Sequence, residues 1–176
     1  MSCEFFINMN IRLKTERLIL REVEYTDGPF ILELYNTPDF IRFIGNRQIS
    51  DLQKAEAYIR EKLIRSYEVN GYGLYVMVLK SSGESIGICG LVKRAEQTPP
   101  DIGFSVLPVH YRQGYTLEAA RAVLDYGRNE LKLEKILGLV HPENQASVSL
   151  LKKIGITEDN LQITPNEDSG VQTVNT

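Results

Sequence analysis

Cysteine is scarce in this chain, with only Cys3 and Cys89 in 176 residues. They lie far apart, and neither belongs to a C-x-x-C pair or a His-rich cluster, which excludes a disulfide framework and a zinc site of the usual spacing. No structural metal is expected. Long apolar runs are missing too: nothing approaches the ~20 residues that span a bilayer. The opening Met1-Ser-Cys-Glu-Phe-Phe-Ile-Asn8 lacks the basic segment of a secretory signal, so a cytoplasmic protein with no membrane contact is expected. Nor is there a cationic excess. Twenty Lys and Arg against 23 Asp and Glu give a net charge of -3, which argues against a general nucleic-acid binder and makes any cationic patch local. Repeats, low-complexity blocks and linkers are absent, so residues 1–176 read as one domain.

Apolar residues make up 43% of the chain, enough for a packed core. Ile11 to Glu22, with Leu18, Ile19 and Leu20, suits a first strand. Asp27-Gly-Pro29 signals a helix start, with Phe30, Ile31, Leu34 and Tyr35 on one face. Gly45 and Asn46 break the next segment. Ser50-Asp-Leu-Gln53 has the form of a capping box, and Leu52, Ala55, Ile59, Leu63 and Tyr67 then trace an amphipathic helix ending near Asn70-Gly71. Tyr72 to Lys80 and Ile86 to Val92 form a strand pair around the Ser81-Ser-Gly-Glu84 turn. After a Pro-rich connection, Asp101 to Val106 alternates as a strand with two unlike faces. Ile136 to Val140 reads as a buried strand and Ala146 to Ile154 as a helix stopped by Gly155. This order predicts a mixed sheet with helices on both faces and disfavours a dinucleotide-binding fold.

The most informative stretch runs from Asp101 to Ala120: a strand, a Pro break, a basic turn with Gly114, and an immediate helical repeat of Leu117, Ala120, Leu124, Gly127 and Leu131. A helix starting straight after a turn leaves its first N–H groups unpaired and places partial positive charge there. Gly114 permits close backbone approach and Arg112 adds a formal charge, so the turn reads as a site for a phosphate-bearing ligand.

Tyr111-Arg-Gln-Gly-Tyr-Thr116 resembles the acetyl-CoA loop of the GNAT superfamily of N-acetyltransferases: Gln or Arg, two residues, Gly, one residue, Gly or Ala. Gly114 fits. Tyr111 stands in place of Gln or Arg, with Arg112 one position later, and Thr116 in place of Gly or Ala. Leu13-Lys-Thr-Glu-Arg-Leu-Ile-Leu-Arg21 is similar to the opening strand of the branch containing the ribosomal-protein N-terminal alanine acetyltransferases. Asp101-Ile-Gly-Phe104, Asn144-Gln-Ala-Ser147 and Leu151-Lys-Lys-Ile-Gly155 extend the resemblance over Ile11 to Ile156. It implies an α/β (α+β) fold, with a mixed, mostly antiparallel central sheet of six to seven strands and about four helices on both faces, and acetyl-CoA as donor. By the same resemblance, the backbone of Ser105, Val106 and Leu107 would hold the pantetheine arm, Arg112, Gln113, Gly114, Tyr115 and Thr116 the pyrophosphate, and Asn144 the CoA arm, unless Asn144 only caps its helix.

Acyl transfer to an amine needs a neutral amine, stabilisation of the oxyanion and a proton for the leaving thiolate. An α-amine, with pKa near ~8, is closer to its reactive form than a lysine near ~10.4, which makes a protein N-terminus the easier acceptor. The branch resemblance likewise implies a protein N-terminus first, with a small amine (polyamine, amino acid or aminoglycoside) as the alternative. Asp101 is the candidate base, or else a solvent-facing strand carboxylate. Ser147 is the candidate proton donor to sulfur, or a small packing residue. His110 reads as an exposed turn residue, His141 as a neighbour of the acceptor, and Tyr72, Tyr75 and Tyr115 as packing aromatics. Residues 157–176 are weakly marked, and Glu158, Asp159, Glu167 and Asp168 there form either an acidic groove wall or a solvated end. A monomer or homodimer is expected, and a non-catalytic acyl-CoA binder remains a rival reading.

Overall fold

The structure, a computed structural model, describes residues 10–164. Leu74-Tyr-Val-Met-Val-Leu79 is apolar and rich in β-formers throughout, as a strand covered on both faces must be. This strand, β3 (Leu74–Leu79), is the centre of a five-stranded antiparallel sheet in chain order, with β1 (Ile11–Lys14) and β2 (Leu18–Arg21) on one side and β4 (Ser85–Val92) and β5 (Asp101–Val106) on the other. The single first strand suggested by the sequence is in fact a hairpin. Thr15 N–H donates to Leu18 O at 2.9 Å and its hydroxyl accepts from Leu18 N–H at 3.1 Å, closing a turn that sets Lys14 opposite Ile19.

Helices cover both faces. On one lie α1 (Gly28–Tyr35), α2 (Pro38–Phe43), and α3 (Leu52–Tyr58) running through a π-helical segment, Ile59–Ile64, into α4 (Arg65–Asn70). Their Ile31, Leu34, Phe40, Ile59 and Leu63 pack on Ile19, Val76, Val78 and Ile88. The start of α3 is capped by Asp51, whose carboxylate accepts from Lys54 N–H at 2.9 Å, and not by Ser50 as the capping-box pattern suggests. Asp and Ser are both favoured caps, and here the Ser50 hydroxyl donates to the Asp51 carboxylate. Gly71, in the left-handed region at φ 78°, closes α4 where the sequence places the stop.

On the other face, Ala119, Ala120, Val123 and Leu124 of α5 (Tyr115–Asn129) and Leu151 of α6 (Gln145–Lys153) pack on Leu20, Tyr75, Met77, Cys89 and Leu91. A parallel pair, β6 (Gly138–Val140) with β7 (Leu161–Ile163), brings the strands among the described residues to seven. β7 gives the weakly marked tail a closing strand. Glu158 and Asp159 lie exposed on the turn before it, while Glu167 and Asp168 fall outside the described residues. Among the described residues, no helix is long and apolar enough to cross a membrane, and no group of His, Cys, Asp or Glu could hold a metal ion.

Candidate active site

β5 and β6 run parallel but meet only at one end. Asp101 bridges Leu137, with Leu137 N–H donating to Pro100 O and Ile102 N–H to Leu137 O, each at 2.9 Å. Beyond that bridge the strands part. At the far end of β5, Leu107 N–H donates to Ile86 O at 2.8 Å, on the β4 side. Main-chain groups of alternate residues point to opposite strand edges, so Ser105 faces β4 as Leu107 does, whereas Phe104 and Val106 turn their N–H and C=O toward the gap. Of the three residues expected to offer backbone to a pantetheine arm, only Val106 is oriented for it. Phe104 is the neighbour that motif reading missed, because edge parity depends on register, which spacing alone does not give.

The basic turn lies beyond β5. Pro108–His110 forms a short 3-10 turn, Arg112 takes φ 59° and Gly114 φ 80°, and α5 begins at Tyr115. Glu118 N–H, donating to Gly114 O at 3.1 Å, is the first in the helix with an intrahelical acceptor. The N–H groups of Tyr115, Thr116 and Leu117 therefore form the positive end of the helix. Two α-left residues in the three preceding positions curl the chain so that successive amides converge, a concavity suited to an anion. Arg112 and Gln113 are exposed here, and Gln113 donates from Nε2 to Val109 O at 3.1 Å.

Arg17, from the turn between β1 and β2, also belongs to this site. It lies over the Tyr115 ring at 4.4 Å, donates to Gln113 O at 2.9 Å and reaches Glu118 with Nε at 2.7 Å. Glu118 also accepts from Arg17 N–H at 2.8 Å and from the Thr15 hydroxyl at 2.6 Å. Burial pushes the Glu118 carboxyl up, but the Thr15 and Arg17 hydrogen bonds outweigh it and hold the acid below its ordinary value of 4.5. A lowered folded-state value means that this contribution is full above 4.5 and disappears as pH falls through that lowered value. The melting-temperature gap between wild type and Glu118→Gln should therefore be open at neutrality and close in acid. A gap constant with pH would show that the carboxylate charge does not hold the turn.

The two departures from the loop pattern differ in consequence. The Tyr111 hydroxyl donates to Asp39 Oδ2 of α2 at 2.9 Å, and burial, then the Asp39 carboxylate, push its pKa up to about 12. Tyr111 thus joins the turn to the helix beside the cleft. Thr116 sits half-buried in the first turn of α5. His110 is not the exposed residue expected: its side chain is 12% exposed, with Nε2 3.1 Å from Glu84 Oε1 and the ring edge-on to Tyr115.

Where β5 leaves β6, a cleft of about 130 Å³ opens between β4, β5, β6 and helices α1, α2, α3 and α6. It brings together Ser105, Ser147, Asn144 and His141 from the expected set. Asn144 caps α6 by accepting from Ser147 N–H at 3.1 Å and also lines the cleft, so capping does not remove it from the site. His141 Nδ1 accepts from Glu143 N–H at 3.2 Å, which assigns the ring proton to Nε2. The sequence did not single out Arg47, Arg94, Tyr58 or Phe40, which line the other walls; nor did it assign a site role to Tyr35, which lines them too.

Asp101 is not solvent-facing. It is 2% exposed, and Arg94 grips both carboxylate oxygens, Nε to Oδ1 at 2.8 Å and Nη2 to Oδ2 at 3.1 Å. Burial pushes its pKa up and Arg94 pulls it down, with burial prevailing. Tyr72 and Tyr75 are buried and Tyr115 lies beneath Arg17, so these three pack as expected.

Known proteins are similar to this chain in sequence and in fold. YkkB of Bacillus subtilis strain 168, an uncharacterized protein, is 33% identical over 153 residues, covering 85% of this chain and 87% of its own. The crystal structure of an acetyltransferase from Agrobacterium tumefaciens str. C58 superposes with a TM-score of 0.71 at 27% identity, covering 81% of each chain. A ribosomal L7/L12 α-N-protein acetyltransferase, solved with coenzyme A, shares the fold with a TM-score of 0.70 at 15% identity over 82% of each chain. The sequence model of the family described as acetyltransferase (GNAT) domain matches residues 17–157, from β2 through the parted strands and the turn before α5 to the end of α6. With that match over most of its length, the chain belongs to the GNAT family of N-acetyltransferases.

Proposed function

We propose that the chain transfers the acetyl group of acetyl-CoA to an α-amine, first of all a protein N-terminus, by direct attack in a ternary complex. The observation that supports this is the parting of β5 from β6: main-chain groups of Phe104 and Val106 face the gap beside a cleft lined by Ser147, and the turn before α5 follows at the end of β5. The diphosphate would lie against the amides of Arg112 to Thr116, and the pantetheine arm along β5. A backbone N–H of β5 would then meet the thioester oxygen as negative charge develops on it. The amine nitrogen attacks the thioester carbon, the C–S bond breaks, and the nitrogen loses a proton as the sulfur gains one.

A covalent acetyl-enzyme is disfavoured. Cys89 is fully buried among apolar side chains, and burial pushes its thiol pKa up, away from the thiolate. Asp101, clasped by Arg94, acts in this reading by fixing the start of β5 and not by collecting a proton. The amine then enters neutral, which favours an α-amine over a lysine.

Ser147 donates a hydrogen bond to the departing sulfur. Because a serine hydroxyl is a weak acid, Ser147→Ala should lower kcat by about tenfold, less than loss of a strong general acid would, and leave the KM for acetyl-CoA unchanged. Stopped-time measurement of free CoA thiol with an N-terminal peptide panel checks this. An unchanged kcat would remove Ser147 from the chemistry.

A further inference from the structure

An amide can hold a diphosphate only if it points at it, and in the turn before α5 the local sequence does not fix where one of them points. Arg112 takes φ 59°, Gln113 follows, and Gly114 holds φ 80° and ψ 2°. Glycine occupies positive and negative φ about equally, so the Gln113–Gly114 peptide unit can turn over at little steric cost, as turn types interconvert. In a trans peptide the C=O and the N–H point in opposite directions, and no peptide bond among the described residues is cis. Whatever fixes the Gln113 carbonyl therefore aims the Gly114 N–H.

That carbonyl is held from a distant part of the chain. Arg17, in the turn between β1 and β2, donates from Nη1 to Gln113 O at 2.9 Å. The guanidinium is itself fixed from two other sides: Nε donates to Glu118 Oε2 at 2.7 Å, and the group lies 4.4 Å from the centre of the Tyr115 ring. His110 meets that ring edge-on in turn. At the other end of the same peptide unit, no backbone carbonyl among the described residues accepts from the Gly114 N–H.

From this arrangement, and resting on the acetyl-CoA reading above, we infer that Arg17 is a positioning residue for the coenzyme: it locks the Gln113–Gly114 peptide with its N–H turned away from the β1–β2 turn and toward the diphosphate. It acts through the main chain and not on the reacting atoms. Two acceptors, Gln113 O and Glu118 Oε2, are engaged at once by different nitrogens of one rigid fork. A lysine ammonium carries the same charge without that fixed spacing. The role is also separable from stability. The Arg17 side chain is 42% exposed, where an ion pair contributes little. Without it, Glu118 still accepts from the residue-17 N–H, now at 2.8 Å, and from the Thr15 hydroxyl at 2.6 Å, so the hairpin stays docked on α5.

Calorimetric titration with CoA tests this in the full chain and needs no acceptor. Arg17→Gln and Arg17→Lys should both raise the Kd by on the order of tenfold with the stoichiometry unchanged, the factor expected when one hydrogen bond to a charged group is lost. A merely structural role would lower the number of binding sites and leave the Kd of the remaining ones as it was. An unchanged Kd in Arg17→Gln, whatever the number of sites, would overturn the inference. So would an unchanged Kd in Arg17→Lys, which would show that charge and not orientation matters. Either result leaves the coenzyme reading intact, whereas absence of CoA binding by the unaltered protein would overturn both.

Discussion

Replacing Gly114 with valine should remove acetyl-CoA binding by about a hundredfold or more while the chain remains folded, since both the backbone and the space at this position depend on glycine. Gly114 holds φ 80° and ψ 2° as the residue that launches α5. A β-branched residue there carries a strain of roughly 1–3 kcal/mol, and the chain relieves it by rotating the peptide units on either side. Those units include the amides that we propose hold the diphosphate. A charge-assisted hydrogen bond lost from such a site costs about 1.5–3 kcal/mol, so misaligning even one, added to the strain, accounts for the factor. A Cβ would also stand 3.3 Å from the Arg17 guanidinium, tight enough to shift the side chain that braces the turn. Calorimetric titration with CoA measures the effect, and circular dichroism confirms the fold. Unchanged affinity would mean that the diphosphate lies elsewhere.

A second large effect belongs to Asp101, and it should appear in stability before it appears in chemistry. Asp101→Asn leaves the Arg94 guanidinium, only 19% exposed, facing a neutral amide. Removing one member of a buried ion pair typically costs ~3–5 kcal/mol. Burial already makes the ionised carboxylate costly, as its raised pKa direction indicates. Replacing both partners with apolar groups should therefore be milder than replacing one. Urea denaturation of the single and double variants tests this. If Asp101 is instead the base, Asp101→Asn should retain its denaturation midpoint and lose kcat by at least about a hundredfold, and the pH profile should lose its acidic limb.

The turn before α5 was legible in the sequence because it is local. Strand, Pro108, Gly114 and helix follow one another within about twenty residues, and glycine at a positive φ followed by a helix start has one physical meaning. Gly71 and Gly155 closed their helices for the same reason. The acceptor half was much less readable. Arg47, Tyr58 and Arg94 come from three segments that meet only when α1 to α3 fold over β4 and β5, and none sits in a pattern whose spacing signals chemistry. The partner of Asp101 was hidden by the Ala95 to Pro100 connection, whose length does not reveal which residue returns to the strand end. The opening hairpin was hidden because Ile11 to Glu22 carries no Gly, Pro, Asn or Asp to mark a turn; Thr15-Glu-Arg17 is nevertheless the turn that brings Arg17 to the start of α5.

A crystal structure with CoA bound is the most direct test. It should show the diphosphate within hydrogen-bond distance of the Gly114, Tyr115 and Thr116 amides, the pantetheine amides paired with Phe104 and Val106, and the sulfur near Ser147. A coenzyme bound at another surface, with the gap between β5 and β6 left empty, would contradict the account.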